Sequence, residues 1–301
     1  MHSFNLTAVM YHYVRDVSKT DFPGVKAIPI EKFERQLDYL RKNYSIISWP
    51  DLRDFLQSKR ILPARACILT FDDGLKDHYI NVYPRLRDRN ISGMFFPVAR
   101  NPQDCLAMIH LLQLLVAKIG EVEFRDVFSN ELVEGEKEQF NEACRQFAAE
   151  HPLDKFGESA FRIFRKAVTY MPQTVYPILK RLFAKLIGDD IVFAKEFYLQ
   201  EADIKEMISG GMYFGGHGTN HFRFSKISLE NQEAEIKGSA EFLAAFSSAP
   251  WAFSYPHGDY TENSPKLLES NGFIGAFSTE EKEVHDNFYA IGRVDAASIP
   301  A

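Results

Sequence analysis

Cysteine is scarce in this chain. Cys67, Cys105 and Cys144 are the only three among 301 residues, and no two of them make a C-x-x-C pair. An odd number without a paired motif argues against a disulfide framework. It reads instead as three buried, reduced thiols in a reducing compartment. Long apolar runs are also missing. The longest, near Leu106 to Ile119, is broken by His110, Gln113 and Lys118 and is short for a bilayer span. Met1 to Thr7 shows no basic segment leading into a long apolar one, so no secretory leader is read and a cytoplasmic protein is expected. Excess positive charge is absent too: the formal net charge of −6 argues against a nucleic-acid partner. No internal repeat and no low-complexity tract occurs.

What remains is an ordinary globular composition, 46% hydrophobic and 25% charged, long enough for one large core or two modest ones. Phenylalanine is abundant at 26 residues and tyrosine adds 13, which suits a substantial core and offers rings on which sugars could stack.

Residues 1–100 alternate between short apolar strands and amphipathic helices. Thr7–Tyr11 reads as a strand ending at His12. Phe33, Leu37 and Leu40 recur at helical spacing after Pro29. Ser45–Ile47 is a brief strand, and Asp51–Gln57 a helix. Then come the strand ending in Asp72-Asp73, a helix around Val82–Asp88, and the strand Ser92–Val98. From about Pro102 to Phe197 the pattern turns helical, with stripes such as Val175, Leu179, Leu182 and Leu186. This block, residues 101–199, reads as a helical insertion with ends near Asn101-Pro102 and Leu199-Gln200. Alternation resumes in residues 200–301. Glu201–Ser209 is a helix stopped by Gly210-Gly211, and Met212–Phe214 is a strand. Ser228 caps a helix reaching about Phe246, and Trp251–Tyr255 is a strand. A helix at Pro265–Ser270 and strands at Phe273–Phe277 and Tyr289–Val294 complete the series. Such alternation predicts an α/β fold with a mainly parallel sheet or barrel, one discontinuous domain interrupted by the insertion.

Four groups with chemistry stand at or just past expected strand ends: His12, Asp72/Asp73, His217/His221 and His257. In parallel α/β sheets and barrels, sites form at the carboxyl ends of strands, so residues distant in sequence can meet there. Each group alone has a bland explanation. Adjacent aspartates often cap a helix or a turn, and a proline-linked histidine is often a turn residue. A strand-end histidine can simply be hydrogen-bonded in the core. The His217-x-x-x-His221 pair follows Gly215-Gly216 and reads as a loop, where two solvated histidines pair by chance. Together the groups are more specific. Two imidazoles and one carboxylate are a common three-ligand set for a zinc-type ion that keeps a position open for water. The second carboxylate is then free to act as a base.

Three motifs in order carry a resemblance: Thr70-Phe71-Asp72-Asp73-Gly74, His217-x-x-x-His221 and Tyr255-Pro256-His257-Gly258. Met10-Tyr11-His12, Ile91–Phe96 and the helix–Gly–strand approach from Ile204 to His217 extend it. The chain resembles the polysaccharide deacetylases, the NodB-homology group of carbohydrate esterase family 4, over residues 1–100 and 200–296. The helical block has no counterpart in the minimal family domain. The resemblance implies a distorted (β/α) barrel and a metal-dependent hydrolase that removes an acetyl group from an N-acetylated saccharide. The sugar could be a polysaccharide, an oligosaccharide or a lipid-linked precursor. The resemblance also implies that Asp73, His217 and His221 bind a divalent ion, zinc first, with cobalt, nickel and manganese as alternatives. Asp72 becomes the general base, and the backbone N–H of His257 a donor to the oxyanion. No further cofactor is implied.

The chain departs from the family pattern in two places. Ser254 stands where many members carry an arginine two residues before the proline, and no C-terminal Leu-x-His is present to supply an acid. Arg293 is the expected replacement partner for Asp72, because a guanidinium suits a bidentate carboxylate contact. His257 and His12 are the candidates for the acid, since only histidine titrates near neutral pH unperturbed. Two rival readings stay open. One is a deformylase or another amide or imide hydrolase on the same fold. The other is a non-catalytic saccharide-binding barrel, favoured by the two departures and opposed by the intact Asp72, Asp73, His217 and His221. The partners expected are an N-acetylated sugar and no integral membrane segment. The insertion is a candidate for covering the barrel mouth, limiting substrate length or forming a homo-oligomer.

Overall fold

Eight strands organise the α/β part of the computed structural model: β1 Leu6–Tyr11, β2 Ser45–Ile46, β3 Ala66–Asp73, β4 Met94–Pro97, β5 Tyr213–Phe214, β6 Trp251–Ser254, β7 Phe273–Phe277 and β8 Val294–Asp295. The structure describes residues 6–99, 105–150, 160–279 and 287–301. The expected boundary at Asn101-Pro102 falls outside these, as do His2, His151 and His285.

β3 is buried along its whole length, as an unbroken apolar run in a parallel sheet should be. β1 pairs with it in parallel from Leu6↔Ala66 to Tyr11↔Phe71. β4 takes its other edge from Thr70 onward, and β2 fills that same edge lower down, at Ala66 and Cys67. The order β5-β4-β3-β1-β8 makes one sheet, and β6-β7 makes a second. Two isolated parallel bridges join them, Gly216↔Phe253 and Phe277↔Ile291. Gly216 N–H donates to the Ala252 carbonyl at 3.0 Å and Ser254 N–H to that of Gly216 at 2.8 Å. Across the other gap, Ile291 N–H donates to the Ala276 carbonyl at 2.8 Å. The result is a closed, distorted (β/α) barrel.

Alternation along the strands sorts two clusters. Val9, Tyr11, Leu69, Phe71, Phe95 and Phe253 belong to the large core that also takes Phe33, Leu37 and Leu40 of the helix Ile30–Asn43. Ala8, Ile68, Met94, Phe96, Ala252 and Phe277 belong to the other cluster, with Phe96 and Phe277 edge to face at 5.6 Å. Thr70 and Asp72 continue this second row of β3, so Asp72 is aimed into the barrel.

Two expected elements differ in detail. The strand expected over Tyr289–Val294 forms only the bridge at Ile291 and the two residues of β8. Asn287 starts a turn there, its side chain accepting from Tyr289 N–H at 2.9 Å and its carbonyl from Ala290 N–H at 3.1 Å, which takes those donors from a ladder. The helix expected at Val82–Asp88 begins earlier, as a π-turn at His78–Val82 that runs into Tyr83–Asp88.

The described residues divide into two compact units. One lies within Met1–Asp16, Lys26–Pro102 and Lys195–Ala301; the other within Val17–Val25 and Gln103–Ala194. Residues 17–25 were expected with the strands. They group with the helices because Phe22 and Val25 are buried there, Phe22 edge-on to Phe193 at 5.6 Å. The helical unit holds helices at Met108–Ile119, Glu121–Glu131, Glu134–Glu150, Ala160–Ala167 and Pro172–Leu186. Phe124, Phe128, Phe140 and Phe164 form a ring cluster at centroid spacings of 4.9–6.2 Å. All three cysteines are free; Cys67 and Cys105 are buried, while Cys144, expected buried, is half-exposed. Among the described residues no helix is long and apolar enough to cross a membrane.

Candidate active site

Asp72 and Asp73 end β3, where the strand meets Gly74. That glycine has φ +66, and a Cβ on it would meet Pro97 at 2.6 Å. The chain can turn here only because nothing is attached. Successive strand residues face opposite ways, and Asp73 breaks the strand with φ +78. The two carboxylates therefore enter different surroundings.

Asp72 is gripped by Arg293. Nη1 donates to Oδ1 at 2.8 Å and Nη2 to Oδ2 at 2.6 Å, with both residues 2% exposed. The guanidinium is itself fixed: Nη1 donates to Thr70 Oγ1 at 3.2 Å, Nη2 to Ser254 Oγ at 2.9 Å and Nε to the Ser278 carbonyl at 3.2 Å. Ser254 Oγ in turn donates to Asp72 Oδ2 at 3.3 Å. Burial alone would raise the Asp72 pKa. The Arg293 charge and hydrogen bonds, together with His217 and His12, outweigh it and bring it down to about 2. Asp72 is thus an ionised acceptor at neutral pH. Arg293 lies against Asp72 through both guanidinium nitrogens, and Ser254 links acid and guanidinium.

Asp73, His217 and His221 meet beside this pair, all buried, with potential ligand atoms within 4.8 Å of one another. His217 Nδ1 lies 2.6 Å from the Ser254 carbonyl. A carbonyl only accepts, so that nitrogen carries the proton and Nε2 turns a lone pair toward the centre. Nε2 is 3.4 Å from Asp73 Oδ1, and His221 Nε2 is 3.2 Å from the same oxygen. Buried acceptors converge this closely only when a proton or a cation lies among them. Burial opposes charge on His217, yet Asp72 and Asp73 override it and raise its pKa. Such a field attracts positive charge. The donor set, two imidazoles and a carboxylate, fits a divalent cation.

His257 adjoins this group. Its ring is edge-on to His221 at 4.6 Å, as the His221 ring is to His217 at 4.8 Å. His12 follows β1 half-buried, near enough for its charge to act on Asp72, and its carbonyl accepts from His78 Nε2 at 3.0 Å. Backbone strain gathers here as well. Six described non-glycine residues have positive φ, and three are Asp73, His221 and His257, at +78, +60 and +60. Each such conformation costs about 1–3 kcal/mol and persists where the surroundings enforce it, commonly at functional sites.

Similar proteins share this arrangement of strands. Solved structures superpose along nearly the whole chain: Streptococcus pyogenes deacetylase PplD in complex with acetate (TM-score 0.59, 15% identity, 98% of this chain and 93% of that one) and IcaB from Ammonifex degensii (TM-score 0.57, 18% identity, 97% and 91%). The profile of the family described as polysaccharide deacetylase matches residues 159–275. The fold is that of the polysaccharide deacetylases. The resemblance carried by the three motifs is borne out. A curated relative, YxkH of Bacillus subtilis (strain 168), provisionally named a polysaccharide deacetylase, is 29% identical over 129 residues, 40% of this chain and 46% of the relative. That match spans about half the relative's length. The matched profile includes His217, His221 and His257, whereas Asp72, Asp73 and Arg293 lie outside it and join the site through the deacetylase fold.

Several contributors were not singled out from sequence as site residues. Thr70 and Ser254 position Arg293, and the Ser254 carbonyl sets the His217 tautomer. Glu235 accepts from the backbone of the His217–His221 loop. For Glu235 a signal existed: Gln232, Glu235 and Ser239 fall on the same buried face of their helix as Ile236 and Leu243, and polar residues on an otherwise apolar stripe need partners.

Proposed function

We propose that this chain is a metal-dependent hydrolase that removes the acetyl group from an N-acetylated saccharide. Asp73, His217 and His221 would hold a divalent ion, zinc by the nature of the donors. The observation that carries the reading is the convergence of those three ligand atoms beside a separate, ionised carboxylate. A binding module has no use for a base next to three ligands.

When bound, the ion supplies Lewis acidity to the acetyl carbonyl and acidity to water. The chain supplies the rest. Asp72, held by both guanidinium nitrogens, takes the proton from the attacking water. The His257 N–H, on a left-handed turn, donates to the oxyanion that develops on the acetyl group. The leaving amine takes a proton from an acid, with His257 and His12 as candidates. Arg293 orients Asp72 and keeps it ionised.

The test is acetate release from N-acetylglucosamine oligomers by metal-loaded protein. Stoichiometric ion and acetate support the proposal. Formate release from an N-formyl sugar in place of acetate release would shift the chemistry to deformylation, and a chain that binds no ion and releases neither would be a binding barrel.

A further inference from the structure

We propose that the helix Leu229–Ala244 is a polar brace for the two loops that deliver the histidines, with Glu235 as the positioning residue for His217 and His221. The inference rests on the metal reading above and adds what holds the ligands in place.

Glu235 is 4% exposed. Its carboxylate accepts from the loop between the two ligands. Oε2 accepts from the N–H groups of Thr219 and Asn220, both at 2.7 Å, and Oε1 from Asn220 Nδ2 at 2.6 Å. A buried carboxylate is costly, and these three donors offset that cost only if the loop keeps this one conformation. The backbone is shaped to match. Gly218 has φ +72, and a Cβ on it would meet Glu235 Oε2 at 2.8 Å. On the helix, Gly238 faces the loop so closely that a Cβ would lie 2.3 Å from Thr219 Oγ1. Glycine in a helix interior is worth about 1 kcal/mol less than alanine, so its presence here answers the close approach.

Three residues earlier on the same helix face, Gln232 does the same for a second loop. It is 4% exposed; its Nε2 donates to the Phe224 carbonyl at 2.9 Å, just after His221. Its Oε1 accepts from Thr261 Oγ1 at 3.0 Å and Ser264 Oγ at 3.1 Å, just after His257. One helix face therefore ties the loop of the paired ligands to the loop of the third histidine. Partners of this kind are worth roughly 10–100-fold in metal affinity when removed from beside a ligand set.

The experiment measures zinc affinity by chelator competition, with folding followed by circular dichroism. Glu235→Gln keeps the shape but sets an amide NH2 against a loop donor. It is expected to bind zinc about 10–100-fold more weakly than wild type while folded. Gly238→Ala leaves every polar side chain in place. A purely structural helix gains stability from it, whereas the brace loses zinc affinity because the loop is pushed off. Gln232→Ala releases the Phe224 carbonyl after His221 together with the His257 loop, and is expected to weaken zinc binding by about two- to five-fold and to lower turnover. Where Glu235→Gln does not fold, Asn220→Ala decides, with an expected weakening of about two- to five-fold from one lost donor. Wild-type zinc affinity in folded Glu235→Gln and Gly238→Ala, or in Asn220→Ala, overturns the brace. A wild-type chain that binds no ion overturns the metal reading itself.

Discussion

The two sides of this barrel are held by different means. On one side β1, β3 and β4 form continuous ladders, six paired positions between β1 and β3 and four between β3 and β4. On the other side β6 and β7 keep a four-position ladder of their own, but β5 and β8 are two residues long, and only single bridges at Gly216↔Phe253 and Phe277↔Ile291 join that pair to the main sheet. The laddered side presents Asp72 and Asp73. The thinly bridged side presents His217, His221, His257 and Arg293. Side chains complete the positioning on both sides: Arg293 and Ser254 hold Asp72, the Ser254 carbonyl orients His217, and Glu235 and Gln232 hold the loops that carry the histidines.

Substitutions that separate the two sides sharpen this contrast. The largest effect is expected from Asp72→Asn, on the laddered side. Turnover should fall by about 10²–10⁴-fold with the loss of a general base, while zinc content stays at the wild-type level, as measured by metal analysis of the same samples. On the other side, Arg293→Ala leaves the Asp72 charge buried without its guanidinium. It should cost about 3–5 kcal/mol in urea unfolding. Pairing it with Asp72→Ala should recover part of that loss, because no charge is then stranded.

Acid probes the laddered side through His78, which pins the end of β1 at the His12 carbonyl. Burial lowers the His78 pKa to about 4. The unfolded chain takes up this proton more readily than the folded one. The contribution is therefore complete above the ordinary histidine range near pH 6.5 and drains away as pH falls to about 4, for a total of about 3 kcal/mol. Stability measured by urea unfolding across that window should lose this slope in His78→Gln. A slope left unchanged would mean that another group titrates there. Asp72 has the depressed-carboxylate sign, so its contribution persists to lower pH and is lost only toward pH 2. The smallest effect is expected from Ser254→Ala, about 1 kcal/mol. It removes one hydroxyl from the Asp72–Arg293 pair and leaves the carbonyl that orients His217.

This contrast also explains what could be read from sequence. The laddered side was legible because its signals are local: a fully apolar run, two aspartates at its end and a glycine to turn on. The alternation and the motif order pointed to the barrel type, and Arg293 could be matched to Asp72 because the usual arginine position holds Ser254. The bridged side was harder. Its strands β5 and β8 are too short for periodicity to register, and Tyr289–Val294 reads as a strand although Asn287 accepts the N–H groups of Tyr289 and Ala290 in a turn. The supporting contacts were harder still. Thr70 and Ser254 act through hydrogen bonds between residues far apart in sequence, up to 223 positions for Thr70 and Arg293, and no local pattern encodes such pairs. Residues 17–25 went with the wrong neighbours for the same reason, since Phe22 finds Phe193 only in three dimensions.

Counting bound zinc in single-site variants addresses the central claim most directly, that side chains from both sides of the barrel share one ion. The account predicts one zinc per wild-type chain, loss of that zinc in Asp73→Ala, His217→Ala and His221→Ala, and full retention in Asp72→Asn. Retention of zinc in Asp73→Ala together with its loss in Asp72→Asn, or a wild-type chain that holds none, would contradict it.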